Sequence, residues 1–447
     1  MSEVMHDFIV RQVKVLDLLL VTLPFALVWI FYYGERIAAP YYRNGNLLII
    51  VLFAVLYTTY GRIYDGFLIS YLRISEMIYS QAIAAIVSDL IMYILIWFLA
   101  RHIANPLPLL GALGLQLLAV TIWSTLAHRW YFRTFPPLKS VIVYDMREGL
   151  EKVIEKHELS KKFRIVKTLQ TKECLRDLTV LDGIECVFVS GVHSHERTAI
   201  LKYCIANDIQ MYVIPQVGDI LMSAARNMHM LHLPVLCVRR YCPRLEFLVV
   251  KRLFDIVVSG TALIVLSPVF LVTAVMIKRC DGGPVFYRQR RLTKDGREFM
   301  IYKFRSMRVD AEKDGVARLS TGEKDDRITP VGRFIRAHRI DELPQLLNIL
   351  SGSLSIVGPR PERPEIAEQY EREMPEFRLR LQAKAGLTGY AQVYGKYNTT
   401  PYDKLQMDLM YIAHASFAED LKIMFATVKI LFIPESTEGI DEGKTTA

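Results

Sequence analysis

The sequence lacks the cysteine and histidine spacings that build structural metal sites. Its six cysteines are scattered through the middle of the chain, at Cys174, Cys186, Cys204, Cys237, Cys242 and Cys280. The closest pair, Cys237 and Cys242, has no partner residues at zinc-site spacing. Scattered thiols of this kind are typical of a reducing compartment. No zinc-finger or RNA-binding signature occurs, so nucleic acid is excluded as an expected partner.

A glycine-rich phosphate loop is also missing where a nucleotide-binding domain would need one. Between residues 139 and 243, apolar runs alternate with helical patterns, which predicts a parallel α/β sheet of Rossmann type. The predicted strands are 140–144, 163–169, 185–190 and 209–214. The predicted helices are 147–157, 172–178, 194–206 and 216–227. The first strand-to-helix turn reads YDMREGLEK and lacks GxGxxG, so we expect no dinucleotide cofactor. We interpret this domain as structural, regulatory or for self-association.

Hydrophobic residues make up 52% of the chain, which is high for a soluble protein and indicates membrane segments. Four apolar stretches approach the ~20 residues that cross a bilayer. They are 15–33, 47–64, 78–100 and 107–127. The first lacks a small-residue cleavage site, so we expect it to remain in the protein. Basic residues flank both outer ends of this region, which predicts that both ends face the cytoplasm. The net charge of +9 predicts anionic partners.

A fifth apolar stretch, Phe254–Ile277, is long enough to span a membrane but carries Ser267-Pro268 near its middle. Proline removes a backbone hydrogen bond, so we expect the helix to break there. Basic pairs at 251–252 and 278–279 place both ends on the same side. The pattern favours a helix that enters the cytoplasmic face and returns. The alternative is a kinked helix that crosses the membrane completely.

Two adjacent carboxylates, Asp341 and Glu342, lie between a run of cations and an apolar run. Pro344 predicts a helix that begins at or just after Asp341 and runs to about Leu350, with Gly352 as its stop. Within it, one set of residues forms the predicted apolar face and another lies on the surface. The apolar set is Leu343, Leu346, Leu347 and Leu350, and the surface set is Gln345 and Asn348. A helix start favours anions, so the pair is either a catalytic dyad or simply a cap and a first-turn acid.

Arg360 follows shortly, between Pro359 and Pro361. Two prolines restrict the backbone and hold the planar guanidinium, which matches phosphate, in place. Two carboxylates able to hold Mg²⁺ and a fixed guanidinium together suit phosphoryl transfer.

Residues 278–309 hold ten Lys or Arg against three acids, interleaved with aromatic residues. The alternation predicts short strands or an amphipathic surface element. Such a surface suits lipid phosphates and a nucleotide diphosphate, or simply anionic headgroups.

These motifs carry a resemblance. The run from Lys251 to Ile433 resembles the bacterial sugar transferases, the monotopic phosphoglycosyl transferases. The matching pieces are KRLFD (251–255), Ser267-Pro268, GGPVFYRQRR (282–291), YKFRSM (302–307), RIDELPQLLN (339–348), VGPRP (357–361) and AGLTG (385–389). The chain departs from the family pattern at Ala385, where proline is usual, and at His338-Arg339-Ile340, where small residues are more common.

The resemblance implies a fold class of membrane protein, α plus α/β. We expect four transmembrane helices at 1–135, a cytoplasmic Rossmann-like domain at 136–245 and a phosphoglycosyl transferase domain at 246–434. The last contains a re-entrant helix at 253–277. A disordered tail at 435–447 follows. The implied location is the bacterial inner (plasma) membrane, with the catalytic domain on its cytoplasmic face, and a homodimer is expected.

The resemblance also implies an activity, the transfer of a hexose-1-phosphate from a UDP-sugar to undecaprenyl phosphate with release of UMP. Asp341 would be the nucleophile that forms an aspartyl phosphosugar, and Glu342, with Asp341, would hold Mg²⁺. Arg336 and Arg360 would bind phosphate or uridine, and Lys303 and Arg305 the lipid phosphate. Structural roles are expected for Ser267, Pro268, Pro359 and Pro361.

UDP-glucose or UDP-galactose is the expected donor, and the product would open synthesis of a capsule, exopolysaccharide or O-antigen. Three alternatives remain open. The first is the same chemistry with an N-acetylated amino sugar. The others are a membrane-anchored nucleotide-sugar dehydratase and a non-enzymatic component of polysaccharide export. The C-terminal series Asp408, Tyr411, Ser416 and Asp420 has family counterparts but no role that spacing reveals.

Overall fold

The computed structural model describes residues 3–41, 43–146, 149–156, 158–230, 232–308, 327–395 and 399–431. The chain divides into two compact units, Met1–Ile214 and Pro215–Ala447. The predicted tail at 435–447 lies outside the described residues. The domain boundaries expected at residues 135 and 245 stay predictions.

The first unit begins with four helices that are long and apolar enough to cross a membrane, as predicted, within the part of the chain that the structure describes. They are α1 (Glu3–Val28, continued by a π-helical turn at Trp29–Tyr33), α2 (Arg43–Ile63), α3 (Ile74–Ala100) and α4 (Leu107–Thr134). Aromatic side chains pack between them: the rings of Phe25 and Phe53 stack with centroids 4.4 Å apart. The hydroxyl of Tyr57 donates to the buried Asp17 at 3.1 Å. The chain is therefore a membrane protein.

A four-stranded parallel sheet with the order β2-β1-β3-β4 completes this unit. Its strands are β1 (Leu138–Tyr144), β2 (Phe163–Gln170), β3 (Cys186–Ser190) and β4 (Gln210–Val213). Its helices are α5 (Leu150–Lys156), α6 (Thr171–Arg176) and α7 (Ser194–Ala206). Residues 140–143 of β1 are all buried, as expected for a parallel strand covered on both faces. The predicted parallel α/β sheet is confirmed, and its narrower Rossmann-like assignment stays a prediction.

The second unit starts with α8 (Val217–Ser223) and an antiparallel hairpin of β5 (Arg226–Met230) and β6 (Leu233–Cys237). The sequence assigns this segment to the α/β domain, but Ile220 of α8 lies in the core of the second unit. A short amphipathic pattern shows which face is apolar and not which core receives it.

A bent pair of helices follows, α9 (Leu245–Val265) and α10 (Ser267–Asp281), with 60° between their axes. The break falls at Leu266, as Ser267-Pro268 predicts. Pro268 lies in the first turn of α10, where its missing N–H costs no hydrogen bond. The hydroxyl of Ser267 donates to the carbonyl of Ile264 at 2.7 Å, so it ties the two helices together across the break. The re-entrant path itself stays a prediction.

The rest of the second unit packs small elements around one apolar core. Its strands are β7 (Phe286–Leu292), β8 (Glu298–Phe304), β9 (Ser355–Val357) and β10 (Gly386–Thr388). Its helices are α11 (Pro330–Ala337), α12 (Gln345–Ser351), α13 (Pro364–Glu373), α14 (Tyr390–Val393), α15 (Pro401–His414) and α16 (Phe417–Leu431). β7 and β8 form an antiparallel hairpin, which confirms the predicted strands, and β9 pairs parallel with β10. The fully buried core includes Ile349, Leu354, Leu405, Leu409 and Ile423.

Candidate active site

The carboxylate pair lies on a short turn between two helices. After α11 ends, Arg339 takes a left-handed backbone conformation with φ of 54°, and Ile340–Glu342 form one 3₁₀ turn. The α-helix α12 begins only at Gln345 and is closed by Gly352 at a φ of 85°. The predicted helix start at Asp341 is therefore wrong by one turn. Pro344 is the N-cap residue of α12, whereas the prediction placed it inside the first turn. The predicted stop at Gly352 is confirmed.

Glu342 is held by two cations from different parts of the second unit. Its Oε1 accepts a hydrogen bond from Nζ of Lys303 at 2.7 Å and from Nη2 of Arg360 at 3.3 Å. Burial would raise the pKa of Glu342, but the charges of Lys303 and Arg360 outweigh burial and hold that pKa well below its usual value. Glu342 is therefore a fixed anion.

Asp341 has a different environment from its neighbour. Burial, reinforced by the negative charge of Glu342, raises the pKa of Asp341 to about 6, while Lys303, Arg336 and Arg339 oppose that rise. None of the described residues donates a hydrogen bond to its carboxylate. Near neutral pH Asp341 is therefore mostly ionised, which is the state that a nucleophilic carboxylate requires.

The predicted site residues do not all converge on this pair. Lys303 and Arg360 contact Glu342, and Arg336 acts on Asp341 through its charge. Arg305 instead is buried and pairs with Asp281, with Nη1 2.7 Å from Oδ2, while its Nε donates to the carbonyl of Pro284 at 2.7 Å. These contacts favour a structural role for Arg305, and its assignment to lipid phosphate stays a prediction.

Asn348 is a residue that sequence reasoning misplaced. Gln345 and Asn348 are buried and Leu347 is exposed, the reverse of the predicted arrangement. The Oδ1 of Asn348 accepts from the N–H of Tyr302 at 2.9 Å, and its Nδ2 donates to the carbonyl of Met300 at 2.8 Å. The amide thereby ties α12 to strand β8, which carries Lys303. A polar residue within a leucine-rich helix was the available signal, because a buried amide requires partners.

The two glycine-containing motifs fold against each other. The N–H of Gly358 donates to the carbonyl of Thr388, and the N–H of Gly386 donates to the carbonyl of Pro359, both at 2.9 Å. A Cβ on Gly386 would lie 2.1 Å from the backbone nitrogen of Gly358. The absence of side chains here lets β9 and β10 approach and sets the path of the chain into Arg360.

We expect Gly386→Ala to lower the free energy of unfolding by about 1–3 kcal/mol, since the added methyl must displace backbone rather than a flexible side chain. Chemical unfolding in detergent, followed by far-UV circular dichroism, measures the loss, because all four tryptophans lie in the first unit and do not report on β10. Gly218→Ala in α8 is the control, because a Cβ there meets nothing within 4 Å. Equal stability of the two variants would contradict the tight backbone contact.

Both departures from the family pattern have a place in this structure. The N–H of Ala385, which proline would lack, donates to Oγ1 of Thr293 at 3.2 Å. Its carbonyl accepts from the N–H of Ser355 at 2.9 Å. In the other segment, Arg339 supplies the left-handed residue that opens the turn of the carboxylate pair.

The KRLFD motif fastens α9 to the elements around the site. Lys251 donates to Oδ2 of Asp420 at 2.5 Å, and Tyr411 donates to Oδ1 of the same carboxylate at 2.7 Å. The guanidinium of Arg252 caps the end of α12 by donating to the carbonyls of residues 349 and 350 at 2.6 and 2.7 Å. Asp255 accepts from the hydroxyl of Ser355 at 2.8 Å. Two members of the C-terminal series, Tyr411 and Asp420, thus support the bent helices.

The carboxylate oxygens of Asp341 and Glu342 are hard ligands of the kind that Mg²⁺ prefers. No group of three or more acidic, His or Cys side chains able to hold a metal occurs among the described residues. Mg²⁺ is commonly bound by one or two carboxylates together with substrate phosphates and water. The donor set therefore fits a metal that arrives with a diphosphate.

A carboxylate pair with cations in contact, in the same unit as the bent helices α9 and α10, has the composition of a site for phosphoryl-group chemistry. Residues 246–434 match the family model described as bacterial sugar transferase. The chain is 40% identical over 201 residues to the exopolysaccharide production protein PSS of Rhizobium leguminosarum bv. phaseoli, an alignment that covers 43% of this chain and 98% of the relative. The chain belongs to the bacterial sugar transferase family, which makes it a transferase.

Two longer relatives align over the same region. The chain is 38% identical over 234 residues to the UDP-N-acetylgalactosamine-undecaprenyl-phosphate N-acetylgalactosaminephosphotransferase of Aeromonas hydrophila, covering 52% of this chain and 54% of the relative. It is 42% identical over 194 residues to the UDP-glucose:undecaprenyl-phosphate glucose-1-phosphate transferase of Klebsiella pneumoniae, covering 42% of this chain and 41% of the relative. The chain thus spans about half the length of these two relatives or less.

Proposed function

We propose that this protein transfers a sugar-1-phosphate from a UDP-sugar to undecaprenyl phosphate and releases UMP. The observation that carries the proposal is that the two neighbouring carboxylates have different contacts and different pKa values. Glu342 is fixed by Lys303 and Arg360, whereas Asp341 is ionised near neutral pH and receives no hydrogen bond from the described residues. When the environments of two neighbouring carboxyl groups shift their pKa values in opposite directions, one group suits nucleophilic attack and the other electrostatic stabilisation.

The reaction has two displacements at one phosphorus. A carboxylate oxygen of Asp341 attacks the sugar-bearing phosphorus, the bond to the bridging oxygen breaks, and UMP leaves with that oxygen and its electron pair. An oxygen of undecaprenyl phosphate then attacks the same phosphorus. The aspartyl oxygen–phosphorus bond breaks, which gives the lipid diphosphate-linked sugar and restores the Asp341 carboxylate.

The cations around the pair stabilise charge that develops on the transferred group. Lys303 and Arg360 form ion pairs with Glu342, and the same two cations can donate hydrogen bonds to the oxygens of a bound diphosphate. Arg336 adds positive charge on the side of Asp341. Mg²⁺, when held by Glu342 and Asp341, would neutralise the diphosphate and assist departure of UMP.

The donor sugar is the finer part of the proposal. Relatives named for glucose-1-phosphate transfer and for N-acetylgalactosamine phosphate transfer align at similar identity. We propose UDP-glucose or UDP-galactose first, and N-acetylated UDP-sugars as the second choice. The dehydratase alternative requires the glycine-rich turn that YDMREGLEK lacks.

The experiment that tests the proposal measures UMP release by the full chain in detergent. The donors are UDP-glucose, UDP-galactose and UDP-N-acetylgalactosamine, each with Mg²⁺ or EDTA, and with and without undecaprenyl phosphate. We expect Mg²⁺-dependent UMP from one donor and, without acceptor, a phosphosugar adduct on Asp341 detected by mass spectrometry. No UMP from any donor would overturn the function. UMP release that requires acceptor and leaves no adduct would replace the two-step route by direct displacement.

We further propose that α9 and α10 enter the inner membrane from the cytoplasmic face and return to it. The 60° bend at Leu266 and the basic pairs at both ends support this path. The exposed Cys242, just before α9, and the exposed Cys280, in the last turn of α10, should then both react with a membrane-impermeant thiol reagent from the cytoplasmic side only. Labelling of the two from opposite sides would mean a complete crossing. The homodimer stays a prediction, to be measured by light scattering of the purified protein.

A further inference from the structure

Two arginines, the buried Arg380 and the half-buried Arg291, donate hydrogen bonds to the backbone of the loop Pro359–Pro361. Nη2 of Arg380 donates to the carbonyl of Arg360 at 2.8 Å. Nη1 of Arg291 donates to the carbonyl of Pro361 at 3.0 Å. The side chain of Arg380 is only 4% exposed, and that of Arg291 only 17%. Arg380 therefore gives up nearly all of its hydration and Arg291 most of it, and burial of a charged group is costly unless the group is paired.

Acidic side chains neutralise and orient the two arginines. Asp408 of α15 is fully buried and its Oδ2 lies 2.6 Å from Nη2 of Arg380. Glu362, directly after the loop, bridges both arginines, at 3.6 Å from Arg380 and 3.7 Å from Arg291. The result is a network of two arginines and two carboxylates under the loop, which we call the loop network (Arg291, Glu362, Arg380 and Asp408).

The loop network does not include the carboxylate pair. Its link to the site is the backbone of Arg360, whose side chain is 43% exposed and, among the described residues, makes one hydrogen bond, of 3.3 Å to Glu342. One long contact is a weak hold on an exposed side chain, so the direction of the Arg360 guanidinium depends on its backbone. The prolines fix φ on both sides, but only a partner for the carbonyl fixes the orientation of the peptide planes.

We propose that Arg380, oriented by Asp408, is a positioning residue that sets Arg360 for phosphate binding. The inference deepens the proposed function and rests on it, because Arg360 is taken to bind the diphosphate of the donor. Asp408, a member of the C-terminal series to which the sequence assigns no role, thereby orients Arg380. The planar guanidinium forms an ion pair with Asp408 and donates to the carbonyl of Arg360 at the same time, which a lysine ammonium at the end of a flexible chain cannot reproduce.

The test is a double-mutant cycle between Arg380 and Arg360, with kcat/KM for the UDP-sugar as the readout. In the protein that retains Arg360, Arg380→Lys should lower kcat/KM by about 10- to 100-fold, since small misplacements of a binding group cost this much. In the Arg360→Ala background the same change should cost less than about threefold, because the group that it positions is gone. Asp408→Asn, which keeps the size of the side chain, should behave in the same way.

Arg378→Lys is the matched control, because Arg378 lies two residues from Arg380 on the same turn and is exposed. It should leave kcat/KM unchanged in both backgrounds. Equal losses from Arg380→Lys with and without Arg360 would overturn the inference, since a general loss of stability acts on both alike.

Hydrogen exchange of the peptide that covers residues 356–363, followed by mass spectrometry, gives a readout that needs no activity. Arg380→Lys and Asp408→Asn should each speed exchange at least about tenfold, the order expected from loss of a buried hydrogen bond. Arg378→Lys should not. Unchanged exchange would overturn the inference even where activity falls. If the parent protein releases no UMP, the proposed function fails, and exchange still decides whether Arg380 and Asp408 hold the loop.

Discussion

Asp341→Asn should abolish UMP release while the protein still inserts and folds. The amide has the size of the carboxylate but cannot displace UMP, so we expect a loss of about 10⁴-fold or more, as for other nucleophile substitutions. No phosphosugar adduct should form without acceptor. Because none of the described residues donates a hydrogen bond to Asp341, the substitution breaks no such contact. The melting temperature in detergent should therefore stay within a few degrees of the parent.

Asp295→Asn is the control for removal of one acid from the second unit. Asp295 lies at the surface in an ion pair with Arg240, and exposed pairs contribute only about 0–1 kcal/mol. Its activity should match that of the parent. Substantial UMP release by Asp341→Asn, together with an adduct on another residue, would remove Asp341 from the nucleophile role.

The sequence predicts those parts of the fold that depend on local patterns. Apolar runs longer than about 18 residues usually form membrane-spanning helices, so hydropathy alone predicts α1 to α4. The break at Leu266 follows from Pro268, because proline excludes the preceding helical hydrogen bond. The end of α12 follows from Gly352, whose left-handed conformation suits a residue without a side chain.

The sequence does not predict contacts between residues that are distant along the chain. Arg380 and Asp408 lie on different elements, and no local pattern pairs one buried arginine with one buried acid. Helical spacing predicts that Asn348 lies off the leucine face and on the surface, whereas its burial depends on backbone groups of β8. The carboxylate pair was found from its residues, but its electrostatics depend on Lys303 and Arg360, which only folding brings together.

Glu342→Gln should lower activity by about 100- to 1,000-fold and raise the Mg²⁺ concentration needed for half-maximal activity at least about tenfold. The amide keeps the shape of Glu342 but removes the anion that Lys303 and Arg360 contact at 2.7 and 3.3 Å. It also removes the charge of the carboxylate that we propose as a ligand of Mg²⁺. EDTA should abolish the activity of the parent, and added Mg²⁺ should restore it. Titration of UMP release against Mg²⁺ measures both effects.

The adduct separates the roles of the two carboxylates. Glu342→Gln retains Asp341, and the loss of the neighbouring negative charge lowers the pKa of Asp341, so the nucleophile stays ionised. The phosphosugar adduct should therefore still form on Asp341, slowly and at high Mg²⁺, whereas Asp341→Asn forms none. Glu368→Gln on the surface of α13, where Glu368 pairs only with the exposed Arg372 among the described residues, is the control and should change neither quantity. An unchanged Mg²⁺ requirement in Glu342→Gln would exclude Glu342 as a metal ligand and leave it as the residue that holds Lys303 and Arg360 beside the nucleophile.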